Sequence, residues 1–356
     1  MRKLLLGLTL AIGLTTQALA DFRIITPQNP PQDWMESLIP LWKQKLGENL
    51  LIDYQPGAWN LPGLNKFQAS DRFDNNVMAE IINSAAEAYL TQKAGTYDFH
   101  DWSLVGMQQY TNWVEIHAGF DPYNSHIKIS HKMGAGSNAD AMAIALLVCG
   151  PKKTKEEYKT CFDQKVTYIK GMPDQDSGLA FNNGELDATS GGLANWFVKW
   201  KFDEGKGKFT TWFIHDLLDM KTGKDEEKSI LGVPTVNQLY KQRWGVEPSG
   251  EFYDAYRLVR TYRDVLQKSI WVNKGNPNLE KLQTAWRAVL SDPETRAKLE
   301  ERNGALPIFI GEKEAAVAYK TLESITTEKA YKDLIWVEIN MLGMPDSVYK
   351  PQLVKK

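Results

Sequence analysis

Ser137, Asn138 and Asp140 stand between a small-residue loop, Gly134-Ala135-Gly136, and a run of good helix formers from Ala141 to Val148. A short alternating apolar run holding Ile127 and Ile129 leads into that loop. A strand feeding a glycine loop feeding a helix leaves backbone N–H groups unpaired at the helix start, where the positive end of the macrodipole also lies. Such a place accepts an anion, phosphate and carboxylate alike. Gly134 and Gly136 lack a third glycine and no Gly-Lys-Ser/Thr follows, so this is not a nucleotide fingerprint. The same residues also suit an ordinary strand-to-helix connection, with Ser137, Asn138 or Asp140 capping the helix.

Other chemistries find less. The five histidines, His100, His117, His126, His131 and His215, form no His-Glu-x-x-His and no i,i+4 pair. No Cys/His set has metal-ligand spacing. His126 and His131 flank one strand with opposite parity and read as surface or polar-network residues. Gly-x-Ser-x-Gly is absent, which leaves a nucleophile-elbow hydrolase unsupported. Carboxylates are plentiful, but spacing alone does not set two of them across a cleft as a glycosidase needs. The 12 tryptophans offer Trp34, Trp59, Trp102, Trp196 and Trp212 as sugar-stacking platforms, against the alternative that most fill the core. No pattern asks for a metal or a cofactor.

The elements that must position these residues alternate. Phe22 to Thr26 reads as a strand, Asp33 to Leu46 as a helix stopped by Gly47, and Leu50 to Tyr54 as a second strand. Val77 to Ile82 gives a third strand before a helical run from Asn83 to Leu90, and Asp101 to Ile116 is β-prone at both ends. Strands at Val166 to Ile169, Leu186 to Ser190 and Phe209 to Ile214 surround a helix at Asp174 to Asn183. Gly191-Gly192 reads as a glycine turn opening a helix with Trp196, Phe197 and Trp200. Asp219 to Ser229 is a charged surface loop. From Asn237 onward the pattern is helical, through Phe252–Leu266, Leu279–Leu290, the Asp292-Pro293 start, Glu312–Ile325 and Thr327–Leu342. This order predicts an α/β protein with parallel strands. Ligands in such sheets bind at the carboxyl ends of strands. The strand-to-helix loops at 26–32, 83–85, 133–138 and 190–192 are therefore expected to converge on one cleft.

Residues 1–20 read as a secretory signal peptide: Arg2 and Lys3, an apolar run from Leu4 to Leu14, and a cleavage site at Ala18-Leu19-Ala20. Cleavage after Ala20 makes the protein periplasmic, with no cysteine at the new start to carry a lipid. It also moves the formal charge of the 356-residue chain from −2 to −4, since Arg2 and Lys3 leave. A mildly acidic chain without basic blocks argues against nucleic acid as a partner. Cys149 and Cys161, the only 2 cysteines, are expected to pair in an oxidising compartment and to staple a helix end to the next segment.

Several segments together resemble the periplasmic receptors of tripartite tricarboxylate transporters, also called Bug proteins. Phe22-Arg-Ile-Ile-Thr-Pro27 is similar to that family's first strand and ligand loop, and Leu51-Ile-Asp-Tyr-Gln-Pro-Gly-Ala58 to its second strand and turn. His100-Asp-Trp-Ser-Leu-Val105, Gly134-Ala-Gly-Ser137, Asn183-Gly-Glu-Leu-Asp187, Val233-Pro-Thr235 and Asp292-Pro-Glu-Thr-Arg296 follow in the family's order. The resemblance covers about Phe22 to Tyr319. It implies a two-lobed Venus-flytrap fold closing on a small organic anion held largely by backbone N–H groups and hydroxyls. The first loop departs from the family: Gln28-Asn29-Pro30-Pro31 replaces a Gly-Gly pair, and prolines remove donors.

The expectation is thus a two-lobed α/β solute-binding protein without enzyme activity, serving membrane transporter subunits. Lobe 1 spans residues 21–125 and 240–356, and lobe 2 spans 126–239. The expected ligand contacts are Gln28, Asn29, Ser84, Gly134, Ala135, Gly136, Ser137, Asn138, Ser190 and Gly191. The rival readings are a secreted carbohydrate-active enzyme or carbohydrate-binding protein that uses the tryptophans, and a binding module for a sensor.

Overall fold

The computed structural model describes residues 21–26, 33–55, 60–109, 111–132, 136–172, 174–192, 207–226, 232–266, 268–303 and 308–351. In chain order the first elements are β1 (Phe22–Thr26), α1 (Asp33–Leu46), β2 (Leu50–Tyr54), α2 (Leu61–Ala69), β3 (Val77–Ile81), α3 (Asn83–Thr91), β4 (Trp102–Gln109) and β5 (Asn112–His117). Next come β6 (Ile127–Lys132), α4 (Gly136–Cys149), α5 (Lys155–Lys165), β7 (Val166–Met172), α6 (Asp174–Asn182), β8 (Ala188–Gly192) and β9 (Phe209–Ile214). Then follow β10 (Leu217–Leu218), β11 (Asp225–Glu226), α7 (Val236–Trp244), α8 (Glu251–Leu266), β12 (Ser269–Asn273) and α9 (Leu279–Ser291). The last are α10 (Pro293–Asn303), β13 (Ile308–Ile310), α11 (Glu312–Ile325) and α12 (Glu328–Asn340).

A six-stranded sheet in the order β13-β4-β12-β3-β1-β2 carries the first part of the molecule. Strand β1 pairs in parallel with β2 and β3, while β12 runs antiparallel to both β3 and β4. The sheet is therefore mixed, not all parallel as the β-α-β order predicts. The late chain is not purely helical either, because β12 and β13 return to this sheet. Residue parity sorts the two faces. Phe22, Ile24, Met78, Ile270 and Val272 pack on one side with Trp42 of α1 and Trp286 of α9, whose rings meet edge to face at 5.1 Å. Ile25, Ala79, Ile81 and Trp271 pack on the other with helices α3, α8 and α11. Apolar residues on both faces of a strand are what two covering helix layers require.

The second part has an antiparallel sheet, β8-β5-β9, and a parallel pair, β6-β7. Helix α4 is buried on every side from Ala139 to Cys149, so it packs as an interior helix with no solvent stripe. Cys149 at its end is bonded to Cys161 of α5, with Cα atoms 5.9 Å apart, as expected from the sequence. Thr235 and Gln238 form a reciprocal capping box that starts α7. Asp292 starts α10 by accepting from the Thr295 N–H and hydroxyl, both at 2.9 Å. Helix α8 runs through the middle, against α3, α11 and α12 on one side and α4 on another. One continuous apolar cluster reaches from the large sheet through α8 to α4.

Candidate functional site

The ends of β4, β8 and β9 and the start of α4 meet over helix α8. Asp140, in the second turn of α4, is the hub. Its Oδ2 accepts from Ser190 Oγ of β8 at 2.6 Å, and its Oδ1 accepts from His215 Nε2 at 2.6 Å. Arg263 of α8 lies 3.6 Å from the same Oδ1. Burial alone would raise the Asp140 pKa; the His215 hydrogen bond, the Arg263 charge and Ser190 outweigh it and bring the value to about 2. His215 is itself pushed down, first by burial and against the pull of Asp140. The pair is therefore an ionised carboxylate beside a neutral imidazole. With Nε2 donating to Asp140, Nδ1 accepts from the Tyr256 hydroxyl at 2.9 Å.

This order matters chemically. Ser190 donates to the aspartate, and the imidazole is engaged by Asp140 and Tyr256, so His215 is not placed to take the serine proton. The constellation holds elements together.

A second cluster lies next to it. Arg260 of α8 donates to the backbone oxygen of Asp216 and, at 2.5 Å, to Asp225 Oδ1. Asp264 accepts from the Leu218 N–H at 2.6 Å and from Gln109 at 3.2 Å. Burial raises Asp216 to about 6 and Asp264 to about 7, against the opposing Arg260 charge. Thr111, Asn112, His215, Asp216, Arg260, Arg263 and Asp264 surround a cavity of about 10 Å³, room for roughly one water. The cavity sits where β4 passes the chain to β5 and β9 passes it to β10.

A third cluster faces the other side of the α4 start. The Asn138 amide donates to Glu87 of α3 at 2.7 Å and to Glu338 of α12 at 3.1 Å, all three side chains being buried. At the carboxyl end of β1, Thr26 donates its hydroxyl to buried Glu80 at 2.6 Å.

Of the expected contacts, Gln28, Asn29, Gly134 and Ala135 lie outside the described residues. Ser84, Gly136 and Ser137 stand in the first turns of α3 and α4. Helix α4 begins at Gly136, earlier than predicted, so Ser137, Asn138 and Asp140 are inside it, not capping it. Asn138 and Asp140 use their side chains to reach other elements. Ser190 and Gly191 belong to strand β8, not to a turn opening a helix. Gly191 pairs with Trp113, whose ring would lie 3.2 Å from an added Cβ. Among the proposed sugar platforms, Trp102 and Trp212 are buried, and Trp102 stacks on Tyr97. Trp59 and Trp196 lie outside the described residues, as does the side chain of Trp34.

Sequence reasoning misses the buried charges. Arg260, Arg263 and Asp264 are at i, i+3 and i+4 of a helix that reads as amphipathic, and a charged stripe on such a helix ordinarily faces water. The signal present is the width of the remaining face: Phe252, Ala255, Tyr256, Leu258, Val259, Tyr262, Val265 and Leu266 leave too little polar surface for an exposed helix.

No protein-family profile matches the sequence, and no curated protein matches it. Solved structures do. A Rhodopseudomonas palustris protein with adipate aligns at TM-score 0.56 and 13% identity, over 88% of this chain and 97% of that one. The periplasmic binding protein BugD aligns at TM-score 0.55 and 12% identity, over 90% of this chain and 98% of its own. MatC from R. palustris, with bound malate, aligns at TM-score 0.52 and 14% identity, over 88% and 98%. The likeness establishes the fold: this chain has the two-lobed α/β fold of these periplasmic binding proteins, as the sequence resemblance implies.

Proposed function

We propose that this protein is an exported solute-binding protein that captures a small organic anion, a carboxylate, and presents it to a membrane transporter. The observation that carries the reading is a fold matched over nearly nine-tenths of the chain by proteins solved with malate and adipate. The start of α4 supports it from the residues upward. The first backbone N–H groups of α4, from Gly136 on, have no partner within the helix, and an anion is favoured at such a start. Lobe 1 comprises the six-stranded sheet and its helices, and lobe 2 the sheet β8-β5-β9 and the pair β6-β7, so the chain passes from one to the other between β4 and β5, ahead of the boundary at residue 125 expected from the sequence. Gly134, Ala135, Gly136 and Ser137 supply backbone donors on one wall, and Gln28, Asn29 and Ser84 supply side-chain donors on the other. Asn138 and Ser190 reach a ligand only by giving up their bonds to Glu87, Glu338 and Asp140, and so act mainly by fixing the wall. Residues 1–20 direct export and are removed after Ala20.

Isothermal titration of the chain from Asp21 onward, against mono-, di- and tricarboxylates and a panel of sugars, tests the reading. Saturable binding of one carboxylate class is expected. Binding of sugars alone would overturn it in favour of the carbohydrate reading.

A further inference from the structure

Two stretches of chain meet where the large sheet gives way to the second one, and helix α8 fastens both. The first runs from Gln109 at the end of β4 to Asn112 at the start of β5, and the second from Ile214 at the end of β9 to Leu218 in β10. They bond each other: the Thr111 hydroxyl donates to the His215 carbonyl, and the His215 N–H donates to the Asn112 carbonyl, both at 3.0 Å. Helix α8 holds the second stretch through Arg260 on the Asp216 carbonyl and Asp264 on the Leu218 N–H. It holds the first through Asp264, which accepts from the Gln109 amide.

Three polar atoms in this joint meet no hydrogen-bond partner among the described residues: Asn112 Oδ1, Asp264 Oδ1 and Arg260 Nε. Their residues are 9%, 3% and 3% exposed, and all three line the cavity of about 10 Å³. Buried polar groups left without partners are costly, and a cavity of this volume has room for one water-sized occupant. The groups themselves say which occupant. Two are acceptors and one is a donor, so it must give two hydrogen bonds and accept one. A metal cation or ammonium accepts nothing from the Arg260 N–H and would sit beside two guanidinium groups, those of Arg260 and Arg263. Chloride gives nothing to the two oxygens and would face the Asp216 and Asp264 carboxyl groups. Water meets all three. The count survives titration of Asp264, because a carboxylate accepts from the water and a carboxyl donates to its second lone pair.

We propose that this cavity is the binding site of a single ordered water, which links Asn112 of the first stretch to Arg260 and Asp264 of α8 and pins the joint between the two lobes. A bridging water holds its partners about as well as a direct hydrogen bond does. It also reorients, so the first stretch stays fastened to α8 when the joint bends. The site uses none of the residues assigned to solute contact and stands whichever solute the protein binds.

A high-resolution crystal structure grown with bromide in place of chloride identifies the occupant, since bromide scatters anomalously and water does not. A water within about 3.2 Å of Asn112 Oδ1, Asp264 Oδ1 and Arg260 Nε is expected. An anomalous peak in the cavity, or a direct bond between Asn112 and Asp264 with no water between them, overturns the site. Amide hydrogen exchange tests the pin in solution. Asn112→Leu keeps the side-chain size but cannot bond the water, and exchange at His215 and Leu218 is expected to quicken about tenfold while the middle of α4 keeps its rate. Asn112→Ala gives the same test if Asn112→Leu does not fold. Unchanged exchange at His215 and Leu218, or an equal rise throughout α4, overturns the role of the water as a pin.

Discussion

Asp140 stays ionised in a place where burial alone would neutralise it, and that fact identifies what it does. Three groups from three elements, Ser190, His215 and Arg263, converge on its two oxygens. Asp140→Asn keeps the shape but removes the buried negative charge that faces Arg263 and accepts from His215. Removing one partner of a buried ion pair costs about 3–5 kcal/mol, and chemical denaturation of the variant should show a loss of that order. A loss under about 1 kcal/mol would mean that water or another acid already satisfies Arg263. At this scale the sequence is least readable. Asn138 and Ser190 stand out in it as polar side chains near a loop, and both bond buried acids. Nothing in their spacing reveals that Glu87, 51 residues from Asn138, or Asp140, 50 from Ser190, takes up those side chains. Long-range polar pairing leaves no local periodicity to read.

Local periodicity is strong where elements are concerned. Most strands and helices are legible, because one-sided or two-sided burial repeats every two or 3.6 residues. The exceptions have physical causes. Strand β12 is a five-residue run, Ser-Ile-Trp-Val-Asn, squeezed between two long helices, and short apolar runs do not declare their period. Strand β8 ends in Gly191-Gly192, which as a pair resembles a turn, yet the missing Cβ at Gly191 makes room for the Trp113 ring. A related fit fixes how α9 lies on the large sheet. Gly106 in β4 faces Trp286, and a Cβ there would come within 2.1 Å of the indole nitrogen. Gly106→Ala must push Trp286 off the sheet and away from Trp42. Overpacking of this kind costs about 1–3 kcal/mol, so a lowered melting temperature is expected, with Trp286→Phe partly restoring the double variant. An unaltered melting temperature for Gly106→Ala would show that α9 is free to shift.

The whole molecule contains more buried acid than its near-neutral composition implies, and this sets how its stability follows pH. Asp216, Asp264 and Glu338, raised to about 6, 7 and 7, and Glu87, also raised well up, all bind a proton more tightly in the folded chain than in the unfolded one. Between about pH 4 and pH 7 the folded state therefore carries the extra protons, and stability falls as pH rises through that window. The opposite sign belongs to groups shifted down. Asp140 and Asp225 contribute stability above about pH 4 that is lost on further acidification through their lower folded values. His215, buried and neutral, also resists folding once the unfolded imidazole gains a proton below about pH 6.5. The raised acids outnumber His215, and each tenfold gain in proton affinity on folding is worth about 1.4 kcal/mol. Even half of what these acids contribute together outweighs one histidine. The melting temperature of the ligand-free protein is expected to peak at about pH 4 to 4.5 and to lie several degrees lower at about pH 8, in matched salt. Glu338→Gln should flatten the alkaline side of that curve without moving the acid side. A curve that stays level, or rises toward pH 8, would mean that water reaches these carboxyls and that their burial does not set their charge.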